Sequence, residues 1–326
     1  MSYLSSDDQM IPAIDGTTLF LRHWRPNPDN AKPKAVVQLV HGLAEHSARY
    51  TRFAEQLVQQ GFHVYAHDHR GHGSTAPSKA ELGFFAEDKG WSKVVNDLKS
   101  VNERIRSEWP TTPLILIGHS MGSFVTQSAL IQFPKLAEAV ILSGSTVPST
   151  FLLKSARWFA QCDKARHGPM TRCRIVDFLT FKPYNLAFRP NRTESDWLTR
   201  DPEEVDLYIQ DPYCGFVATA QMWIDLSDGM LSLYRTKTHS KLPSHIPYLL
   251  IAGDKDPVGD KGKGVKKLGK RLKKYGATTE IKLYQDGRHE MLNEVNRDEV
   301  MLDIINWIHQ FLNNGTAHKK RSISAH

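Results

Sequence analysis

Short apolar runs alternate along this chain with amphipathic segments, and this alternation is the feature that most constrains its fold. The apolar runs end at clusters of Gly, His, Ser or Asp, and they span 35–40, 62–66, 114–117, 139–142 and 248–252. The segments with helical periodicity between them are 52–60, 91–108 and 122–132. Strand and helix alternate in this way in mostly parallel sheets whose faces are covered by helices. The sequence therefore predicts an α/β protein.

The alternation stops after Ser143 and resumes at Ile246. A loop of about a hundred residues without secondary structure is rare inside a compact domain, so we expect 149–240 to form a mainly helical cap. Aromatic residues of this segment, including Trp158, Phe178 and Trp197, either line a substrate tunnel or hold the cap together. The predicted organisation is a core from 1–148 and 241–313, a cap, and a flexible basic tail from 314–326.

Composition narrows the class of protein further. The 326 residues are 40% hydrophobic, which is ordinary for a globular chain. The first residues contain no signal-peptide block, and no segment has the run of about 18 apolar residues that a membrane helix needs, which predicts a cytoplasmic protein. The three cysteines, Cys162, Cys173 and Cys214, are widely spaced and are interpreted as ordinary thiols.

The formal charge of +7 is concentrated in part in the segment from Lys261 to Lys274. Val265, Leu268 and Leu272 recur there at helical spacing and leave the lysines on the other face. This pattern indicates a solvated surface helix, with weak peripheral contact with an anionic membrane surface as the alternative. No nucleic-acid-binding motif accompanies the charge, and no pattern indicates an oligomeric state.

The segment LILIGHSMGS places Ser120 between a buried-strand run and a helix, which is where a G-x-S-x-G nucleophile elbow occurs. The turn at such an elbow is sharp and strained, so its flanking positions must be small. A serine hydroxyl at neutral pH needs a base and a group that orients that base. Ser120 is therefore the predicted nucleophile.

The acid and base should follow the serine in loops after late strands. The loop GDKDPVGD offers Asp254, Asp256 and Asp260, of which Asp256 is the predicted acid. In the segment EIKLYQDGRHEMLNE, a last predicted strand leads into a glycine-containing turn before the final helix, 295–311, and His289 in that turn is the predicted base.

Transition-state negative charge needs two backbone donors, for which the N–H groups of Met121 and Leu43 are predicted. No cofactor is needed for this chemistry. No metal site is predicted either, because the histidines of HDHRGHG lack the helical i, i+4 spacing of metal-binding pairs.

Five segments, HGLAEHSARY, AHDHRGHGST, GHSMGS, AGDKDPV and GRHEMLNE, together resemble the monoacylglycerol lipase and lysophospholipase group of α/β hydrolases, related to serine aminopeptidase S33. The resemblance implies an eight-stranded sheet with the cap inserted after the sixth strand, and a triad of Ser120, Asp256 and His289. It also places Glu45 and Arg49 near the pocket for a glycerol head group. The alternative role for that pair is a buried ion pair that braces its loop.

The predicted function is hydrolysis of a single-chain acyl ester, such as monoacylglycerol or a lysophospholipid, through an acyl-enzyme on Ser120. Two other functions stay open. An aminopeptidase of the same fold would need cap carboxylates, for which Glu203, Glu204 and Asp206 are available. A noncatalytic homologue would hold its ligand in the capped cavity without turning it over.

Overall fold

A single eight-stranded sheet organises the computed structural model, which describes residues 4–26 and 32–323. The strands are β1 (Leu4–Pro12), β2 (Thr18–Pro26), β3 (Ala35–Val40), β4 (Phe62–His67), β5 (Leu114–His119), β6 (Ala139–Ser143), β7 (Tyr248–Gly253) and β8 (Thr279–Tyr284). Their spatial order is β1-β2-β4-β3-β5-β6-β7-β8. Strands β3 to β8 are parallel to one another, whereas β1 and β2 pair antiparallel with each other and β2 also pairs antiparallel with β4.

Ten helices accompany the sheet in the described part of the chain. They are α1 (Thr51–Gln59), α2 (Gly90–Glu108), α3 (Met121–Gln132), α4 (Thr150–His167), α5 (Arg174–Leu186), α6 (Pro202–Gln210), α7 (Ala220–Leu233), α8 (Thr236–His239), α9 (Lys263–Lys274) and α10 (Arg297–Ile323). Buried side chains form two apolar clusters, which divide the sheet residues between them by alternation along each strand. The mostly parallel α/β architecture expected from the sequence is confirmed.

The five helices α4 to α8 lie between β6 and β7, which confirms an insertion after the sixth strand. Helix α7 also packs on α2 and α3 of the core, so the inserted segment is anchored to the sheet's helical layer. Its buried face includes Met222, Leu226 and Met230. None of the helices among the described residues is long and apolar enough to cross a membrane.

The final helix differs from its predicted length. Helix α10 continues to Ile323, whereas the sequence predicts a helix that ends at 311 and a flexible basic tail from 314. Ala317, Lys319, Lys320 and Arg321 have good helix propensity and favour this continuation, whereas Asn313, Asn314, Gly315 and Thr316 do not. Positions 324–326 of the predicted tail lie outside the described residues.

Candidate active site

Ser120 occupies a strained turn between the end of β5 and the start of α3. Its backbone has φ +48° and ψ −119°, a conformation that non-glycine residues rarely adopt. The Ser120 N–H donates to the Ser143 carbonyl at 2.9 Å, which holds the turn against β6. A side chain at Gly122 would place its Cβ 2.0 Å from the Val40 carbonyl oxygen, so only glycine fits there. The predicted elbow is therefore present with the geometry that its flanking glycines imply.

The predicted acid and base are in contact. His289 Nδ1 lies 3.0 Å from Asp256 Oδ1, and both side chains are almost completely buried. Asp256 Oδ1 also accepts the Val258 N–H at 2.9 Å, which fixes the carboxylate. The other two aspartates of this loop serve elsewhere: Asp254 accepts a backbone N–H in a turn, and Asp260 is exposed.

The charge of Asp256 changes the protonation of its partner. Burial lowers the pKa of His289, but the charge of Asp256 and its hydrogen bond outweigh burial and raise the pKa above its ordinary value. The same contact places the proton of the neutral imidazole on Nδ1, because the carboxylate accepts there. The opposite nitrogen, Nε2, is then the one that can accept a proton.

The elbow and the His289 ring lie side by side at the carboxyl edge of the sheet. The ring of His119, which precedes the serine, has its centroid 4.9 Å from that of His289. Gly144 follows the carbonyl that binds the Ser120 N–H, and a Cβ at Gly144 would lie 2.9 Å from His289 Cε1. Residues on both sides of the Ser120 turn, His119 and Gly144, therefore lie against the ring of the predicted base.

The predicted oxyanion donors flank the same turn. Met121 is the first residue of α3, where backbone N–H groups have no partner within the helix. Leu43 lies in the loop after β3, and its neighbour Gly42 approaches the serine so closely that a Cβ there would be 3.3 Å from Ser120 Cβ. The geometry is consistent with both predicted donors.

Glu45 and Arg49 lie in a buried network rather than on an open surface. Arg49 donates to Glu45 Oε2 at 3.0 Å and forms a bidentate pair with Glu290, at 2.6 and 2.7 Å. Burial raises the pKa of Glu290, but Arg49 outweighs burial and lowers it to about 2. This pairing favours the structural interpretation of Glu45 and Arg49 over a head-group role. No role for Glu290 was predicted from the sequence, although this residue directly follows the predicted base.

A small cavity of about 10 Å³ lies beside this network. Its lining includes Glu45, Arg49, His119, Ser143 and Glu290. A volume of that size accommodates about one water molecule. The cavity is therefore too small for anything larger than about one water molecule.

The cap contacts the loop that carries the base. The Leu198 carbonyl accepts the Glu290 N–H at 2.8 Å, and the Thr199 carbonyl accepts from Arg288 at 3.1 Å. Arg200 donates from its backbone and its guanidinium to the fully buried Glu294, at 3.2 and 2.9 Å. The segment 196–200 of the cap is thus fastened to the histidine loop. No local sequence signal marks this contact.

Two groups of side chains have residue types that can bind a metal ion. The histidines of HDHRGHG, His67, His69 and His72, are buried, and burial lowers the pKa of each one, to about 4 for His67 and His72. The second group brings together His46, Asp211 and Cys214, whose ligand atoms lie within 4.8 Å of one another. His46 Nε2 and Asp211 Oδ2 already form a direct contact at 2.8 Å, which links the loop after β3 to the cap.

The family model described as serine aminopeptidase, S33, matches residues 31–296, which is most of the chain. The chain belongs to the serine aminopeptidase S33 family. This family match and the relatives below confirm the expected group of lipases and esterases among the α/β hydrolases.

Relatives named as lipases match most of the length of this S33 family member. The monoacylglycerol lipase of Mycolicibacterium smegmatis is 26% identical over 298 residues, covering 90% of this chain and 94% of that protein. The monoglyceride lipase of Rattus norvegicus is 27% identical over 297 residues, covering 90% and 88%.

Solved structures of an esterase and a lipase superpose on most of this chain. A thermostable carboxyl esterase from Bacillus coagulans, in complex with glycerol, superposes with a TM-score of 0.84 at 27% identity, covering 94% of this chain and 99% of that one. A monoglyceride lipase from Saccharomyces cerevisiae superposes with a TM-score of 0.73 at 22% identity, covering 93% and 94%, which supports the fold.

Proposed function

We propose that this protein hydrolyses a single-chain acyl ester, with monoacylglycerol as the leading substrate, by nucleophilic attack of Ser120. The observation that carries the proposal is the buried Asp256–His289 pair beside a serine in a strained turn. Relatives named monoacylglycerol lipase and a structural neighbour crystallised with glycerol support the substrate class. A lysophospholipid, which is also a single-chain ester, is the second candidate.

The proposed reaction has two halves. His289 Nε2 takes the Ser120 proton while Oγ attacks the ester carbonyl carbon, and the N–H groups of Leu43 and Met121 bind the oxyanion. The intermediate collapses, the carbon–oxygen bond to the alcohol breaks, and His289 donates the proton to the leaving oxygen. Water then attacks the acyl-enzyme carbonyl carbon while His289 takes its proton, and the bond to Ser120 Oγ breaks as His289 returns that proton to the serine and the fatty acid leaves.

An aminopeptidase is disfavoured by the state of the cap carboxylates. Glu204 pairs with Arg52 at 2.6 Å, and Asp206 pairs with Arg192 at 2.7 Å. Glu203 is exposed at the first turn of α6. Carboxylates that already neutralise arginines are poor ligands for the α-amino group of a peptide. The ester reaction needs no such group.

The predicted head-group role of Glu45 and Arg49 stays a prediction. Arg49 pairs with both Glu45 and Glu290, and a cavity of water size adjoins them. A hydroxyl group that reached this cavity would contact the network at its edge. Measuring KM for monoacylglycerol against KM for a simple acyl ester tests the role directly.

We also propose weak peripheral contact with anionic lipid. Helix α9 buries Val265, Leu268 and Leu272, so only its lysine-rich side is available, and any contact through it is electrostatic. The cap adds apolar surface. Large apolar side chains that are more than 40% exposed on α4 and α5 are Phe151, Leu152, Trp158, Ile175, Phe178 and Leu179. Co-sedimentation with vesicles that contain or lack anionic lipid tests the contact, and the predicted cytoplasmic location is compatible with it.

A hydrolysis panel tests the function. Monoacylglycerols, lysophospholipids and aminoacyl anilides are offered to the wild type and to Ser120→Ala, with Ser100→Ala on α2 as the control for a serine that donates only within its own helix. We expect turnover of acyl esters by the wild type and by the control, and none by Ser120→Ala. Labelling by a fluorophosphonate probe separates catalytic from noncatalytic homologues, since only an activated serine reacts. Preferential turnover of anilides would reverse the assignment.

A further inference from the structure

We propose that the Arg49–Glu290 ion pair is a positioning device that holds the loop of the oxyanion donor and the loop of the catalytic base in one fixed arrangement. The inference rests on the proposed esterase function. It goes beyond that function because it gives Glu290 a role that the family motifs do not assign, and because it links two loops that are distant in sequence.

The first half of the device fixes the oxyanion loop. Glu45 Oε1 accepts the Gly42 N–H at 2.5 Å and the Tyr50 hydroxyl at 2.8 Å. Ala44 has φ +55°, a strained backbone conformation that persists only where its surroundings enforce it. The carboxylate of Glu45 therefore holds the peptide immediately before Leu43, whose N–H is the proposed donor.

The second half fixes the histidine loop. Glu290 directly follows His289, and both of its oxygens accept from Arg49, at 2.6 and 2.7 Å. Asn293 donates to Glu290 Oε2 at 3.0 Å from within the same loop. A bidentate guanidinium–carboxylate pair defines orientation as well as distance, which a single contact does not. Arg49 is thus the bridge between the two loops.

The Arg49 network is buried and carries one positive and two negative charges. The side chains of Arg49, Glu45 and Glu290 are only 10%, 5% and 6% exposed, so the loss of one partner leaves a buried charge without its counter-ion. One guanidinium faces two carboxylates, which leaves a net negative charge near His289. Negative charge at this position stabilises the imidazolium that forms as Ser120 loses its proton.

The test compares Glu290→Gln with a matched control, Asp97→Asn. Asp97 forms an equally buried bidentate pair with Arg70, with two contacts of 2.6 Å, away from the triad. For Glu290→Gln we expect kcat to fall about 10- to 100-fold, with KM within about threefold of wild type, because misplaced groups lose transition-state stabilisation. Asp97→Asn should lower thermal stability and leave kcat at the wild-type value.

A pH profile separates positioning from simple destabilisation. The charged groups that face His289 are Asp256, Glu290 and Glu45, and the neighbouring ring of His119 is also close. Glu290→Gln removes one negative charge, so the acid limb of kcat/KM should move to lower pH. Should this variant fail to fold, Arg49→Lys replaces it: lysine keeps the charge but loses the fork, and the same loss of kcat is expected.

Each outcome decides the proposal. A rise in KM at constant kcat assigns the pair to substrate binding and overturns the positioning role. Wild-type values of kcat and KM in both Glu290→Gln and Arg49→Lys overturn it as well. Absence of ester turnover and of probe labelling in the wild type would instead refute the esterase function itself. Retained labelling of Ser120 with reduced kcat in Glu290→Gln supports the device.

Discussion

Trp197 of the cap packs against the imidazole of His289, with ring centroids 5.1 Å apart and a 32° angle between the planes. Behind it, the ring of Phe181 stacks on Trp197 at 5.6 Å. Trp197 also precedes Leu198, whose carbonyl binds the Glu290 N–H. The cap therefore supplies one wall of the site for the base, as well as covering the edge of the sheet.

Trp197→Ala should impair both stability and catalysis. Removing a buried tryptophan leaves a cavity that costs about 3–5 kcal/mol of unfolding free energy, and it frees the His289 ring on one side. Trp307→Ala is the control, since Trp307 is 7% exposed in α10 and Trp197 is 9% exposed. Chemical denaturation should show similar losses for both variants, whereas kcat should fall in Trp197→Ala alone. Equal kcat values would mean that the cap wall does not support the base.

Asp256→Asn should reduce kcat by several orders of magnitude, on the order of 10⁴ in enzymes with this triad. The amide no longer stabilises the imidazolium, and it can hold the ring in the wrong tautomer. Asp254→Asn is the control from the same loop, where the side chain accepts the Asp286 N–H in a turn. Steady-state rates on a nitrophenyl ester distinguish the two positions, and loss of activity in Asp254→Asn alone would reassign the acid.

Activity should disappear on the acid side at a higher pH than an exposed histidine would give. The base functions when neutral, and Asp256 raises the pKa of His289 above its ordinary 6.5, despite the opposing effect of burial. As pH falls through the raised pKa, the imidazole becomes protonated and cannot accept the Ser120 proton. The acid limb of kcat/KM measures this value directly. A midpoint below 6.5 would contradict the prediction.

Stability should also decrease in acid, for a different reason. Burial lowers the pKa of His67 and His72 from 6.5 to about 4, so the folded state holds both rings neutral. Between these values the unfolded chain binds more protons, and each histidine reduces the unfolding free energy by about 1.4 kcal/mol per pH unit as pH falls. Urea denaturation at pH 7 and pH 5 measures the slope. His67→Leu should reduce that slope, and an unchanged slope would show that His67 does not contribute.

The parts of the fold that the sequence predicts are those with local signals. Strands β3 to β7 are buried on both faces, so they appear as mostly apolar runs such as AVVQLV. Strands β1 and β2 carry no such run: β1 reads LSSDDQMIP, and β2 alternates buried and exposed positions at the antiparallel edge. The sequence alone therefore predicts neither β1 nor β2.

The residues of the site also differ in whether a local sequence signal identifies them. Ser120 is recognisable because its neighbours in the chain, two glycines and a strand-to-helix junction, determine its conformation. The roles of Glu290 and Trp197 depend on partners far away in sequence: Arg49 is 241 residues from Glu290, and Trp197 meets His289 through the cap. Tertiary contacts of this kind leave no periodicity or spacing to detect.

The tether between segment 196–200 and the histidine loop restricts how lipid can reach the serine. Lifting that segment would break the contacts of Leu198 with Glu290 and of Arg200 with the buried Glu294, and the general base would move with the loop. A route that leaves the proton relay intact therefore passes around another rim of the cap.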